Sequence, residues 1–403
     1  MDTDVIIVGG GLNGCTLALA LHQVGIKATV IDAQATDTLR RNDFDGRSYA
    51  IAAASSQMLR VLGLWDDLDA NAEPMMDIKV TDGRVGTGPS PFFMHFDHAE
   101  VGKGPLGYLV EDRHLRQVLL DHVKAAGIDH RPEAVVTAQD EDGSKVTATL
   151  SDGSTVVGSV LIGADGRSSG TAQRAGIKRT SWGYDQSSLV CAVEHELPHN
   201  GVAHQFFMPA GPLAILPLAG NRSSIVWTEE TKQAMAVNAL SDEDYMQILR
   251  PRFGDFLGEI KLTGERYTYP LGLVLAHNLV AGRVALVGDS AHGVHPIAGQ
   301  GLNAGLKDVA ALAEVLADTK RQGLDLGRAL QDYEQWRRFD NTTLAMATDG
   351  FNRIFSTDNP LIRGLRNIGM GVVGNIPTLR QGFMKEAAGL TGERPKMLQG
   401  KAI

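Results

Sequence analysis

The stretch Val5-Ile6-Ile7-Val8-Gly9-Gly10-Gly11-Leu12-Asn13-Gly14 decides the fold. Four consecutive apolar residues read as a short strand covered on both faces, as in a parallel sheet. Gly9-x-Gly11-x-x-Gly14 then reads as a turn opening a helix: apolar spacing runs from Leu12 to Val24 and stops at the C-cap residue Gly25. Ala28-Thr29-Val30-Ile31 is a second strand, ending at Asp32. The first glycine of such a motif permits the tight turn, the second lets a pyrophosphate approach the backbone, and the third lets the helix pack on the strand. The helix N-terminus presents the positive end of its dipole to the phosphates. Asp32 is placed to accept hydrogen bonds from a ribose diol. The pattern is a dinucleotide site, and alone it does not separate FAD from NAD.

Outward from this unit, a helix is predicted around Ser55–Leu62. Strand-like runs follow at Phe92-Phe93-Met94, Gln205-Phe206-Phe207-Met208, Ala214-Ile215-Leu216-Pro217 and Ser224-Ile225-Val226-Trp227. Lys145–Leu150 and Thr155–Val157 flank Asp152-Gly153 as a hairpin leading into the buried strand Ser159–Ile162. Arg283–Val287 is another short apolar strand, before a helix from about Leu302 to Leu316 and a helical tail. Without repeats or low-complexity linkers, the boundaries read as insertions within one fold. Residues 1–75, 101–182 and 266–350 are expected to form the nucleotide-binding domain, 76–100 and 183–265 a β-sheet substrate domain, and 351–403 a C-terminal helical region.

Composition narrows the possibilities. A chain of 403 residues can bury a core without staples. Its net charge of −9 opposes nucleic-acid binding, which needs a basic surface. Two isolated cysteines, Cys15 and Cys191, support no disulfide scaffold, zinc site or iron–sulfur cluster and fit a reducing, cytoplasmic compartment. Acidic residues precede the apolar N-terminus, and no run reaches the ~18 apolar residues of a span, so neither a signal peptide nor a transmembrane segment is expected.

Two further motifs carry chemistry. Gly163-Ala164-Asp165-Gly166-Arg167-Ser168-Ser169 places a carboxylate just past a strand end, which can hold a turn against a dinucleotide and is equally a generic loop. Gly288-Asp289-Ser290-Ala291-His292 and His295-Pro296-Ile297-Ala298-Gly299-Gln300-Gly301-Leu302-Asn303 follow a buried strand and run into a helix. Asp289 can accept from a sugar or polyol hydroxyl. Peptide N–H groups of Gly299–Asn303 at the helix start can stabilise negative charge, which suits the N1–C2 carbonyl edge of a reduced flavin better than a nicotinamide. His292 and His295 suggest either a catalytic base or turn capping. Their spacing lacks the partner set of a metal site.

With these motifs in order, the sequence resembles the class A flavoprotein aromatic monooxygenases, the para-hydroxybenzoate-hydroxylase-like group. Within it, the sequence is most similar to the ubiquinone-biosynthesis hydroxylases. The narrower likeness rests on Asp45–Ala52, Tyr108–Arg113, Gly211–Leu218 with Val226-Trp227, and His295–Asn303. Tyr333-Glu334, Arg337-Arg338, Asp340-Asn341, Phe355-Ser356 and Asn359-Pro360 add to it. The resemblance implies an α/β fold: a Rossmann-like FAD-binding domain with an inserted, mainly antiparallel β-sheet substrate domain and a helical C-terminal tail. It departs from the family at Asp32, often Glu, at Asp112, often Asn, and at Ala172, where an Arg is usual, which weakens the nicotinamide role of the second motif.

Residue by residue, the resemblance implies that Gly9, Gly11, Gly14 and Asp32 bind the ADP half of non-covalent FAD. Arg47 and Arg113 would lie near flavin and pyrophosphate, Asp165 in the loop shared with NAD(P)H, and Asp289 on the ribityl or ribose hydroxyls. Pro296, Gly299, Gln300, Gly301, Leu302 and Asn303 would cradle the flavin ring, with His295 a candidate beside it. Phe206, Leu216 and Trp227 are candidate substrate walls, though apolar strand residues are commonly core. The implied reaction is hydroxylation of a polyprenylated phenol in ubiquinone biosynthesis, using NAD(P)H and O2 through a flavin C4a-hydroperoxide. Open alternatives are hydroxylation of a small soluble phenol, another flavin oxidoreductase such as a reductase or halogenase, and a non-catalytic flavin-binding subunit. A lipid substrate also raises contact with other ubiquinone-biosynthesis proteins or with a membrane surface. The segment Asn359–Leu379, with Leu361, Ile362, Leu365, Ile368, Met370, Val372, Val373 and Ile376 beside Arg363 and Arg366, offers a peripheral contact or else a packed helix.

Overall fold

The strand Val5–Val8 sits at the centre of a six-stranded sheet, between Ala28–Ile31 and Val160–Gly163, both parallel to it. The computed structural model describes residues 1–44, 46–85, 88–100, 102, 104–296, 299–356 and 359–403. Asp45, Ile297 and Ala298 of the family motifs lie outside them, as do the side chains of Phe92, Leu361, Ile362 and Arg363. Asp129–Arg131 extends one edge of the sheet and Val284–Leu286 with Val280–Ala281 the other.

All four side chains of the first strand are buried because both faces are covered. Val5 and Ile7 join a core with the helices Leu12–Gln23, Asp112–Ala125 and Gln300–Arg321. Ile6 and Val8 pack with Val146, Ala148 and Val156 of the three-stranded sheet built on the Asp152-Gly153 hairpin. The helix expected over 302–316 runs from Gln300 to Arg321. Its first turn lies inside the glycine-rich loop and its last turn carries polar residues, so apolar periodicity underreports both ends.

An eight-stranded sheet forms the second half. Its neighbours are antiparallel except Asp77–Arg84 beside Val202–Met208. Its two longest strands, Arg179–His195 and Ile260–Ala276, are 17 residues each and pair along most of their length. The sequence boundaries at 182/183 and 265/266 fall inside them, so continuous strands join the two halves. One sheet face packs on the helices Thr231–Asn238 and Asp242–Phe253 through Trp227, Tyr245, Leu249 and Phe253. The opposite face meets a small sheet of Ser48–Ala52, Gly107–Glu111 and Ala72–Met75 through Ala192, Leu216, Leu218 and Ala50.

The helix Ala329–Phe355 crosses the expected boundary at 350/351 and leads to two C-terminal helices, Pro360–Asn375 and Pro377–Ala387. Both cysteines are free and buried, and burial pushes each thiol up to about 12.

Candidate functional site

The three glycines of the first loop are separated by what a side chain would meet. Gly9 has φ +107°, and a Cβ there would stand 2.4 Å from the Ala164 carbonyl oxygen. A Cβ on Gly14 would stand 1.9 Å from the Gly9 oxygen. Both are therefore demanded by the protein's own backbone. At Gly11 a Cβ meets nothing within 4 Å. Gly11 is also the N-cap of the helix Leu12–Gln23, and no side chain caps that helix. Its first-turn N–H groups thus have no side-chain cap, the arrangement an anion completes. Asp32 is buried; its Oδ2 accepts from Gly10 N at 2.7 Å and its Oδ1 from Gln34 N at 2.7 Å. It braces the loop, and each oxygen retains a lone pair for a diol.

The start of the helix Gln300–Arg321 repeats this design. Gly299, its N-cap, takes φ +62°, and again no side chain caps the helix. Gly299 N donates to Pro296 O at 3.0 Å, and a Cβ on Gly299 would stand 3.0 Å from Ala50 Cβ. At Gly301 a Cβ meets nothing within 4 Å. Asn303 fastens this start to the strand Ser48–Ala52: Oδ1 accepts from Ala52 N at 2.9 Å, while Nδ2 donates to Ala50 O at 2.7 Å and Gly299 O at 3.1 Å. Gln300 reaches toward Ala387 O, and Leu302 packs on the main core.

Arg167 links the second and third motifs. Its Nε lies 3.3 Å from Asp289 Oδ2 and its Nη2 donates to Val294 O at 3.0 Å. Asp289 remains partly exposed. Asp165 turns inward to its own loop, where Ser169 Oγ and Thr171 N both donate to it. Its carboxylate therefore starts the short helix Gly170–Arg174 and is not directed at an open site. Arg47 and Arg113 meet in one cluster. Arg47 lies 3.3 Å from the buried Asp112, and Arg113 Nε 2.8 Å from Glu111 Oε2, which Arg222 also engages through Oε1.

Behind the Gly288–Ser290 turn lies a buried carboxylate that the sequence reading did not single out. Asp308 Oδ2 accepts from Gly288 N at 3.0 Å and pairs with His292 Nε2. Its Oδ1 accepts from Arg337 Nε at 2.9 Å and Asn341 Nδ2 at 3.1 Å. Arg337 continues to Asp340 and Asn341. Burial alone would raise the Asp308 carboxyl, but the His292 ring and the Arg337 guanidinium outweigh it and hold it well below the carboxylate range. His292 is thus a member of this hub. His295 is buried edge-on to Tyr184, with neither ring nitrogen hydrogen-bonded among the described residues. Burial, then Arg167, pull it down to about 4, so it is a neutral imidazole at pH 7.

Two of the three substrate-wall candidates are corrected. Phe206 and Trp227 lie in the core on the far sheet face, and Trp227 stacks beneath Arg252. Alternation puts only Leu216 on the near face, with Ala50 and Phe44. Residues of the opposite alternation supply that face: Ser188 and Ser224 carry buried hydroxyls with no partner among the described residues, and Tyr267 and Tyr269, stacked on each other, stand on the strand next to Ser188. The alternation of the Ser224–Trp227 run carried this signal.

Comparison with known proteins identifies the family and the fold. Residues 2–345 match the FAD binding domain family. The chain is 44% identical to ubiquinone hydroxylase UbiL of Rhodospirillum rubrum, covering 98% of this chain and 92% of that protein. It is 32% identical to 3-demethoxyubiquinol 3-hydroxylase of Escherichia coli, covering 96% and 99%. Among solved structures, p-nitrophenol 4-monooxygenase PnpA of Pseudomonas putida superposes with a TM-score of 0.80 at 20% identity, over 97% of this chain and 99% of that one; the likeness shows the fold.

The two glycines should fail differently. Gly11→Val should give a folded protein without flavin, because the side chain enters only the space an anion would fill, whereas Gly14→Ala should lower stability through its backbone clash. Flavin absorbance and thermal melts distinguish them; a folded, fully yellow Gly11→Val protein would contradict the assignment. Asp308→Asn should cost about 3–5 kcal/mol at pH 7, since it removes the buried carboxylate that faces both His292 and Arg337 and leaves Arg337 only the half-exposed Asp340 as a counter-charge. The folded carboxyl lies below its unfolded value of ~3.9, so its contribution is complete above ~pH 4 and drains as pH falls further. Urea titrations should therefore show the variant's deficit at pH 7 shrinking below pH 4; equal stability at pH 7 would refute the role.

Proposed function

The chain belongs to the FAD binding domain family and, within it, to the ubiquinone-biosynthesis hydroxylases, and on that premise we propose that it hydroxylates the aromatic ring of a polyprenylated phenol, with NAD(P)H and O2 as co-substrates. The observation that carries the reading is the pair of uncapped glycine helix starts, at Gly11 and Gly299, on two helices that share one core. One suits the pyrophosphate of FAD, the other the carbonyl edge of its ring.

FAD, when bound, supplies the electron transfer and oxygen activation, and the protein supplies position and shelter. Gly9 and Gly14 shape the first turn, Gly11 leaves room for phosphate, and Asp32 and Asp289 offer carboxylates to sugar and polyol hydroxyls. Arg47 and Arg113 bring positive charge to the strand Ser48–Ala52, beside the flavin loop that Asn303 ties to it. The near sheet face, with Leu216, Ser188, Ser224 and the two tyrosines, closes the site from the other side. Apolar cover excludes water from the reacting ring, and the buried hydroxyls offer partners to ring oxygens. His295, neutral at pH 7, contributes shape and a weak acceptor in place of a charge. A polyprenyl tail ties the substrate to a bilayer. No described helix is long and apolar enough to cross a membrane, so the chain works from the surface.

Anaerobic stopped-flow with NADPH and NADH tests this reading. Addition of a short-tailed prenylated phenol should speed flavin bleaching, and admission of O2 should return the yellow form with one hydroxylated product per turnover. Bleaching followed by reoxidation without any ring product would favour a reductase instead; hydroxylation of untailed phenols alone would remove the prenyl tail from the proposal.

A further inference from the structure

The second motif opens a stretch that carries positive charge alone. Residues 166–184 hold four Lys and Arg and no Asp or Glu, in a chain of net charge −9. Only Arg167 of the four has an ion pair among the described residues, with Asp289, and both side chains stay partly exposed. Arg179 donates to the carbonyls of Arg167 and Ser169, which leave its charge uncompensated. Arg174 turns away from this group, onto Gln139 of the three-stranded sheet. Lys178 is exposed and has no partner among the described residues. Arg167, Lys178 and Arg179 thus form a small cationic face on an acidic protein, and it adjoins the site through the Arg167–Asp289 pair.

Bare backbone lies beside these cations. Arg167 crosses the strands Ile260–Ala276 and His292–Gly293: Nη1 donates to Gly272 O at 3.4 Å, and a Cβ on Gly293 would stand 3.0 Å from Nε. A Cβ on Gly272 would stand 2.9 Å from the Trp182 carbonyl oxygen. Packing therefore accounts for both glycines. It does not account for Gly183, the strand partner of Gly272, which is exposed and whose Cβ would meet nothing within 4 Å. Glycine weakens a strand, and inside one it marks a close approach by a ligand or another backbone. One residue beyond the Val294 carbonyl that Arg167 holds stands His295, 1% exposed and with both ring nitrogens unpartnered among the described residues. A neutral imidazole offers one donor and one acceptor, the complement of a carboxamide. We propose that this face binds the nicotinamide dinucleotide, with pyrophosphate on Arg167 and Arg179 beside Gly183, and selects NADPH over NADH by placing the 2′-phosphate on Lys178. Guanidinium and ammonium donors suit phosphate, and the extra phosphate is the only group by which the two nucleotides differ.

The proposal rests on the NAD(P)H-dependent reading for the identity of its ligand. Full-length, FAD-loaded protein is titrated calorimetrically with 2′,5′-ADP and with 5′-AMP, and its flavin is bleached anaerobically with NADPH and with NADH. The 2′-phosphate should tighten binding about tenfold in both pairs. Lys178→Glu should reduce that preference to about twofold or less. Gly183→Val, whose side chain meets no protein atom within 4 Å, should raise the half-saturating concentration of both NADPH and NADH about tenfold or more. Flavin content and bleaching by dithionite should match the intact chain in both variants, and the melting temperature should not fall, so a loss of nucleotide affinity reports the face and not the fold. Equal binding of 2′,5′-ADP and 5′-AMP by the intact chain overturns the proposal, as do variants that bind and bleach like it. A 2′-phosphate preference that Lys178→Glu removes, in a protein that neither NADPH nor NADH bleaches, would uphold the face and strike the NAD(P)H-dependent hydroxylase reading instead.

Discussion

The buried carboxylate of Asp308 is the constraint on which the site depends. A charge at zero exposure costs several kcal/mol unless every lone pair is met and an opposite charge is near. Here Gly288, His292, Arg337 and Asn341 meet it. Those partners come from the turn after the strand Val284–Leu286 and from the helix Ala329–Phe355, while Asp308 itself stands on the helix Gln300–Arg321. One residue therefore sets the turn that carries Asp289 against the helix that starts at Gly299. Removing Asp308 would take a partner from all four of the others at once.

The two uncapped helix starts are spaced by the same economy. Each begins at a glycine with no side-chain cap; the first is braced by Asp32 from the end of the next strand, and the second ties itself to the strand Ser48–Ala52 through its own Asn303. Leaving such groups open in a ligand-free protein costs stability that an anionic ligand restores. The long strands Arg179–His195 and Ile260–Ala276 then bring the second sheet across from them with no intervening linker.

The nucleotide half was legible because its rules are local. The four-residue apolar strand, the glycine spacing and the acidic strand end are each read within thirty residues. The helix start at Gly299–Asn303 was legible for the same reason. Asp308 was not, since its partners lie up to 33 residues away and an Asp inside an alanine-rich helix looks like a solvated position. Arg337 was quoted only as part of a family pattern; the structure gives the pattern its physical reason. Phe206 and Trp227 were misread because apolar character does not say which sheet face is core; that depends on the helices Thr231–Asn238 and Asp242–Phe253. Asp165 was ambiguous in sequence, and its local hydrogen bonds to Ser169 and Thr171 favour the turn.

The central claim is that one FAD spans the two helix starts, with its ring over Gly299–Asn303. A crystal structure of the FAD-bound protein tests it most directly. The account predicts the pyrophosphate at Gly11, the N1–C2 carbonyl edge within hydrogen-bond reach of the N–H groups of the second helix start, and Asp308 still bonded to Gly288 and Arg337. A flavin ring seated away from that helix start, or a hub dismantled by FAD binding, would contradict it.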